Sequence, residues 1–174
     1  MSETQSDSVP VIRTDRLWLT SFSMDDAESV FEYATVPEVS RFTTWLPHTS
    51  LSDSQEFLRY ALGERYCWAI RLSADGPVAG AVECTSEVSG ERSIHYLMAP
   101  KYWGRGFMTE AVQAVIDWAF ETHPDVEWIK TTVIPENGAS RRVLEKCGMK
   151  MLGEIEERWD KFPDPVHLAL YGVS

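Results

Sequence analysis

Three cysteines are all that this 174-residue chain contains. Cys67, Cys84 and Cys147 are odd in number and scattered, with no CxxC pair and no Cys/His cluster, so neither a disulfide framework nor a metal site is written here. Reduced, buried thiols are the expectation. No apolar run approaches the roughly 20 residues of a membrane helix. The opening Met1–Ser8 has neither the basic patch nor the apolar stretch of a targeting signal, so a cytoplasmic chain with no membrane partner is expected. Basic residues are scarce as well. Sixteen Lys+Arg stand against 27 Asp+Glu, a net charge of -11, and such a surface repels nucleic-acid phosphates. No nucleic-acid partner is expected.

Hydrophobic residues, by contrast, make up 44% of the chain, with seven Trp, which excludes intrinsic disorder. The length suits one domain, which buries about 70% of its unfolded surface. Residues 1–9 are polar and read as a disordered tail, leaving residues 10–174 as a single domain.

Periodicity orders the elements. Arg16–Phe22 reads as a first strand. Ala27, Val30, Phe31 and Ala34 hold helical spacing, and Phe57, Leu58, Ala61 and Leu62 do so after the Leu51-Ser52-Asp53 start signal. Cys67–Leu72 and Val78–Cys84 are strands joined by Ser73-Ala74-Asp75-Gly76-Pro77, and Ser86–Glu91 is a second turn leading to a strand at Ser93–Ala99, which Pro100 ends. Met108, Ala111, Val112, Val115, Ile116, Ala119 and Phe120 keep one helical face for over three turns. Trp128–Ile134 is a strand, Ala139–Lys146 a helix closed by Gly148, and Met149–Glu156 and Val166–Val173 a final strand pair. A meander followed by βαβ units gives an α/β fold, a mixed sheet with helices on both faces.

The stretch that carries chemistry is Pro100-Lys101-Tyr102-Trp103-Gly104-Arg105-Gly106-Phe107-Met108-Thr109-Glu110-Ala111, between a strand end and a helix start. Glycines there let several N–H groups and the positive helix end face one anion. The plain alternative is a tight turn, because there is no Gly-Lys-Ser/Thr for a P-loop and Thr109 stands where a dinucleotide fingerprint has its last glycine. Some thirty residues on, Asn137-Gly138-Ala139-Ser140 opens a helix with Ser140 on an otherwise apolar stripe with Val143, Leu144 and Cys147. A right-handed crossover brings both segments to the same sheet edge.

With these segments in view, the chain resembles the GNAT acyltransferases, and within them the RimJ/RimL-like N-acetyltransferases. The likeness runs from Thr14-Asp15-Arg16-Leu17-Trp18-Leu19 through Trp103-Gly104-x-Gly106-x-x-Thr109-Glu110-Ala111 and Asn137-Gly138-Ala139-Ser140 to Glu145-Lys146-Cys147-Gly148-Met149. It implies a mostly antiparallel sheet splayed between two parallel strands, Ser93–Ala99 and Trp128–Ile134, with acetyl-CoA between them as acyl donor to an amine. By the resemblance, Trp103, Gly104, Arg105, Gly106, Phe107, Met108 and Thr109 surround the coenzyme A pyrophosphate. Leu97, Met98 and Ala99 pair with the pantetheine amides and present an N–H to the thioester carbonyl, and Asn137 holds the pantetheine arm from the other side. Many relatives place a Tyr four residues after Ser140 to protonate the departing thiolate. Here that place holds Leu144, so Ser140 is the expected proton donor. Met108 stands where relatives have Gly or Ala, and Ser93 and His95 where they often have Glu and Gly.

The base is less marked. An α-amine has a reference pKa near 7.7–8.0, so a modest base suffices. His95, Glu83 and Glu157 are candidates, each against the plain reading of a packed or solvated side chain, and His167 is weaker. Residues 101–146 hold six Lys+Arg and seven Asp+Glu, while residues 1–100 hold seven and fifteen. Arg105, Arg141, Arg142 and Lys146 can therefore serve coenzyme A phosphates. The acidic remainder favours a cationic acceptor: a protein N-terminus, as in the ribosomal-protein type, or a polyamine or aminated antibiotic. Trp45, in the loop Phe42–His48, is read as lining an acceptor pocket, and the other Trp residues as packing. A non-catalytic acyl-CoA sensor is the alternative outside enzymology. A monomer and a homodimer are both compatible with the sequence.

Overall fold

The computed structural model describes residues 9–174. The expected tail at 1–8 lies outside the described residues. Val9, assigned to that tail, is instead 7% exposed and belongs to the same buried cluster as Leu17 and Trp68. The Trp68 indole N–H donates to the Pro10 carbonyl at 2.7 Å, so packing begins earlier than polarity suggests.

The strands are β1 (Ile12–Arg13), β2 (Trp18–Thr20), β3 (Cys67–Arg71), β4 (Gly80–Val88), β5 (Glu91–Met98), β6 (Trp128–Val133), β7 (Lys150–Glu157) and β8 (Val166–Val173). The helices are α1 (Ala27–Ala34), α2 (Pro37–Ser40), α3 (Leu51–Gly63), α4 (Phe107–Thr122) and α5 (Gly138–Lys146). Two elements, β1 and α2, are too short for periodicity to register. The turn expected over Ser86–Glu91 is confined to Ser89 and Gly90, because β4 and β5 stay paired through a bulge at Ser86/Val88 and Gly90 adopts φ +81°, which only glycine takes without strain.

One eight-stranded sheet runs in the order β1-β2-β3-β4-β5-β6-β8-β7. Every pair is antiparallel except β5 and β6. Alternation along β4 and β5 sends Val82, Ile94 and Met98 into a core with α4 and α5, and Ala81 and Leu97 into a second core with α1 and α3. Helices therefore cover both faces. No helix among the described residues is long and apolar enough to cross a membrane.

Capping explains where α3 starts. Ser50 Oγ accepts from the Asp53 N–H, while the Asp53 carboxylate accepts from the N–H groups of Thr49 and Ser50 at 2.7 and 3.0 Å. Those hydrogen bonds hold the Asp53 carboxyl down at about 2. This folded value lies below the ordinary one, so the contribution is present above about pH 4 and fades as pH falls through about 2.

Gly80 faces Met98 across β4 and β5, and a Cβ there would collide with the Leu97 carbonyl oxygen and meet the Met98 Cα at 3.0 Å. Both are backbone atoms that cannot swing aside. Gly80→Ala is expected to lower stability by about 1–3 kcal/mol, read as a shifted urea midpoint. An unchanged midpoint would contradict this close approach.

Candidate active site

The site begins where β5 and β6 part. Their pairing is tied at one end, with the Gly90 carbonyl accepting from the N–H groups of Glu127 and Trp128 at 2.8 and 3.1 Å. It continues through Glu91↔Trp128 and Arg92↔Ile129 to Ser93↔Lys130, and there it stops. Beyond that point β6 stays with β8 through Val133↔Ala169, while β5 stays with β4 to Met98↔Gly80. A wedge-shaped gap results, open at the end from which α4 and α5 set out.

Backbone alternation divides the three residues at the end of β5, Leu97 to Ala99, expected to pair with pantetheine. The Ala99 N–H donates to the Ala79 carbonyl at 2.8 Å on the β4 side, so Leu97, two residues earlier, also faces β4. Met98 faces the gap. Its carbonyl accepts the Trp103 indole N–H at 2.7 Å, which leaves its own N–H as the donor directed into the opening. Trp103 is otherwise exposed, so its hydrogen bond, not burial, fixes it across the strand end.

The glycine turn lies at the same mouth. Gly104 and Gly106 adopt φ +71° and +76°, and Gly106 is the left-handed residue directly before α4. Serine caps α3 and asparagine caps α5, yet no side chain caps α4. The first N–H groups of this 16-residue helix thus carry partial positive charge without a capping side chain among the described residues. Phe107 is buried and anchors the turn, while Met108 and Thr109 are half-buried. An uncapped, exposed helix start beside an open strand edge fits a diphosphate and its pantetheine arm.

Across the gap, Asn137 Oδ1 accepts from the Ser140 N–H at 3.1 Å. Asn137 is therefore a helix cap, and its amide NH2 is the part left to donate to a ligand. Ser140 Oγ lies 2.8 Å from the hydroxyl of Tyr96 on β5, which also reaches the Ser140 carbonyl at 3.3 Å. This pair bridges the gap from β5 to α5. Burial pushes the Tyr96 phenol above its ordinary value, so it stays protonated at neutral pH and can donate to Ser140. Nothing in the motif around Ser140 signals Tyr96. The available hint is its place two residues before Met98, on the same strand face.

His95 and Glu83 are directly opposed on β5 and β4 and share the face covered by α1 and α3. The Tyr60 hydroxyl of α3 donates to Glu83 Oε1 at 2.7 Å. The exposed His95 therefore stands beside a carboxylate held by a phenol, on the face opposite Tyr96. Glu157 does not join them. It ends β7, separated from β5 by β6 and β8, about 14 Å away at the usual strand spacing, and its carboxylate accepts the Trp159 indole N–H at 3.0 Å. His167 faces Glu156 at 3.1 Å on the same remote strands.

The basic residues divide as well. Arg105 lies over the Phe107 ring at 4.7 Å and is exposed beside the turn, and Arg142 reaches back toward Gly138 at the start of α5. Arg141, expected among the phosphate ligands, turns away to the Tyr171 hydroxyl at 3.2 Å and the Pro135 carbonyl. Trp45 leans on His48 and packs against the core under α1 and α3, so it is part packing residue and part surface. Two surface hollows of about 400 Å³ include neither the turn nor Ser140; one is edged by Asp25, Glu28, Glu32 and Asp75, the other by Pro37, Arg41 and Lys161.

All three cysteines are free and buried. Cys147, one turn from Leu144, is pushed up to about 11 by burial, with Asp117 adding to the shift, and its Sγ contacts the Thr109 carbonyl. It is no thiolate nucleophile at pH 7.

A strand pair that opens at an uncapped helix start suits an extended ligand with an anionic end. Comparison with known proteins agrees: the acetyltransferase (GNAT) domain family matches residues 16–150, and the chain belongs to that family. The protein is an N-acetyltransferase, with acetyl-CoA as its acyl donor. An uncharacterized N-acetyltransferase p20 of Bacillus licheniformis is 26% identical over 151 residues, 83% of this chain and 84% of that one. A GNAT-family acetyltransferase structure from Bacillus anthracis superposes with a TM-score of 0.86 at 24% identity, covering 94% of this chain and 98% of its own. RimL, a ribosomal L7/L12 alpha-N-protein acetyltransferase, shares the fold with a TM-score of 0.78 at 16% identity, over 95% and 94% of the two chains.

Two outcomes follow from the geometry. Asn137→Ala removes the α5 cap and is expected to lower stability by about 1 kcal/mol, seen as a lower melting temperature. Cys147→Ala is expected to keep wild-type turnover, and loss of turnover with intact acetyl-CoA binding would point to an acyl-enzyme.

Proposed function

We propose that this N-acetyltransferase acts on the α-amine of a protein N-terminus, by direct attack in a ternary complex. The observation that carries the reading is the Ser140 hydroxyl, held by Tyr96 at 2.8 Å and by the α5 cap at the open end of the β5–β6 gap. Acetyl-CoA supplies an acetyl group activated as a thioester. Met98 N–H is the donor placed for a developing oxyanion, because alternation turns it into the gap. Ser140 Oγ, oriented by the Tyr96 hydroxyl, gives a proton to the leaving sulfur and regains one from solvent at the open mouth of the gap. On the opposite face, His95 and Glu83 accept the amine proton, Glu83 kept in place by Tyr60.

An α-amine near 7.7–8.0 is part neutral already, so a modest base such as His95 or Glu83 suits it better than a lysine ε-amine near 10.4. The shared fold of RimL supports the same acceptor class. A net charge of -11 favours a cationic acceptor.

The test is free-thiol release from acetyl-CoA against N-terminal peptides, polyamines and aminated antibiotics. Turnover is expected with peptides bearing a free α-amine; turnover with small amines alone would overturn this acceptor. Ser140→Ala is expected to lower kcat by about 10²–10⁴-fold with acetyl-CoA affinity unchanged. Tyr96→Phe is expected to lower kcat less, because Ser140 keeps its hydroxyl. Equal rates for wild type and Ser140→Ala would remove the serine from the chemistry.

A further inference from the structure

The segment Thr14-Asp15-Arg16 precedes β2, and nothing in its own sequence assigns it to the cofactor turn, yet the Thr14 and Arg16 side chains close on that turn and the helix after it across 89 to 96 residues of sequence. Arg16 Nη1 donates to the Arg105 carbonyl at 2.9 Å, and Arg16 Nε donates to Glu110 Oε2 at 2.6 Å. Its backbone N–H donates to Glu110 Oε1 at 2.9 Å, where the Thr14 hydroxyl also donates. The same guanidinium lies 4.6 Å from the centre of the Phe107 ring, and its Nη2 would stand 3.4 Å from a Cβ on Gly106.

We propose that Arg16 is the positioning residue of the pyrophosphate cradle: by holding the Arg105 carbonyl it aims the Gly106 N–H at the anion. This rests on reading Gly104–Thr109 as that cradle. The Arg105 carbonyl and the Gly106 N–H belong to one peptide unit, and no peptide bond among the described residues is cis, so the two point in opposite directions. Pinning the carbonyl toward Arg16 turns the N–H outward. A glycine at φ +76° is otherwise free to rotate that unit.

Arg16 does a second thing. Glu110 is the fourth residue of α4, and a bare carboxylate in the first turn would repel a diphosphate at the same helix start. Burial works to raise its pKa, but the Thr14 hydroxyl, the Arg16 N–H and the guanidinium together hold it below its ordinary value, charged and matched. One guanidinium thus neutralises the competing anion and orients the donor, which requires its planar fork and not charge alone.

The test compares acetyl-CoA with S-acetylpantetheine, which carries the same thioester and arm but no pyrophosphate. Arg16→Ala and Arg16→Lys are both expected to weaken acetyl-CoA binding roughly 10- to 100-fold. Their kcat at saturating donor, and their kcat/KM with S-acetylpantetheine, are expected to stay at the wild-type level. Full affinity in Arg16→Lys would mean that a point charge suffices and would overturn the orienting role. An equal loss with both donors would reduce Arg16 to general stability. Should Arg16→Ala fail to fold, Arg16→Lys, which keeps the aliphatic stem, decides between these outcomes. If wild type bound acetyl-CoA no better than S-acetylpantetheine, the cradle itself would be wrong, a result distinct from any behaviour of the variants.

Discussion

Parallel strands normally satisfy one another along their length, and here β5 and β6 cease to do so after Ser93↔Lys130. Most of the site follows from that interruption. A strand edge left inside a sheet exposes backbone donors and acceptors that have to be met by something else. On β5 the Met98 carbonyl is met by the Trp103 indole, while Tyr96 spans the opening by its side chain to reach Ser140. The Met98 N–H is left facing the opening, as binding an extended amide-bearing arm requires.

The rest of the fold keeps that gap open. Tying at Gly90 closes one end. The pairing of β4 with β5 and of β6 with β8 keeps each side in its own ladder, and separate cores under α4–α5 and α1–α3 press on the two faces. At Gly80 the β4 backbone comes close enough to the end of β5 that even a methyl group would not fit between them. The site is thus set mainly by backbone, with few side chains adding chemistry to it.

Much of this was legible in the sequence, for identifiable reasons. The α4 stripe from Met108 to Phe120 and the alternation in β3–β5 announce themselves because burial imposes their periods. The Gly104-x-Gly106 turn was visible because only glycine tolerates its backbone angles. Contacts made across long sequence separations were not. Tyr96 reads as one more strand aromatic until α5 folds over it, and Arg16 lies 94 residues from the carboxylate it neutralises. The expectation that Leu97, Met98 and Ala99 all serve pantetheine ignored which way each N–H faces in a ladder, which depends on the pairing partner. Arg141 was grouped with the phosphate ligands by charge, and Tyr171 on β8 takes it elsewhere.

The measurement that bears most directly on this account is amide hydrogen exchange with and without acetyl-CoA. If the donor occupies the gap between β5 and β6, protection should rise at residues 94–99 and 104–109 and around Ser140, with β7 unchanged. Protection that leaves residues 94–99 untouched would place acetyl-CoA outside the gap and contradict the account.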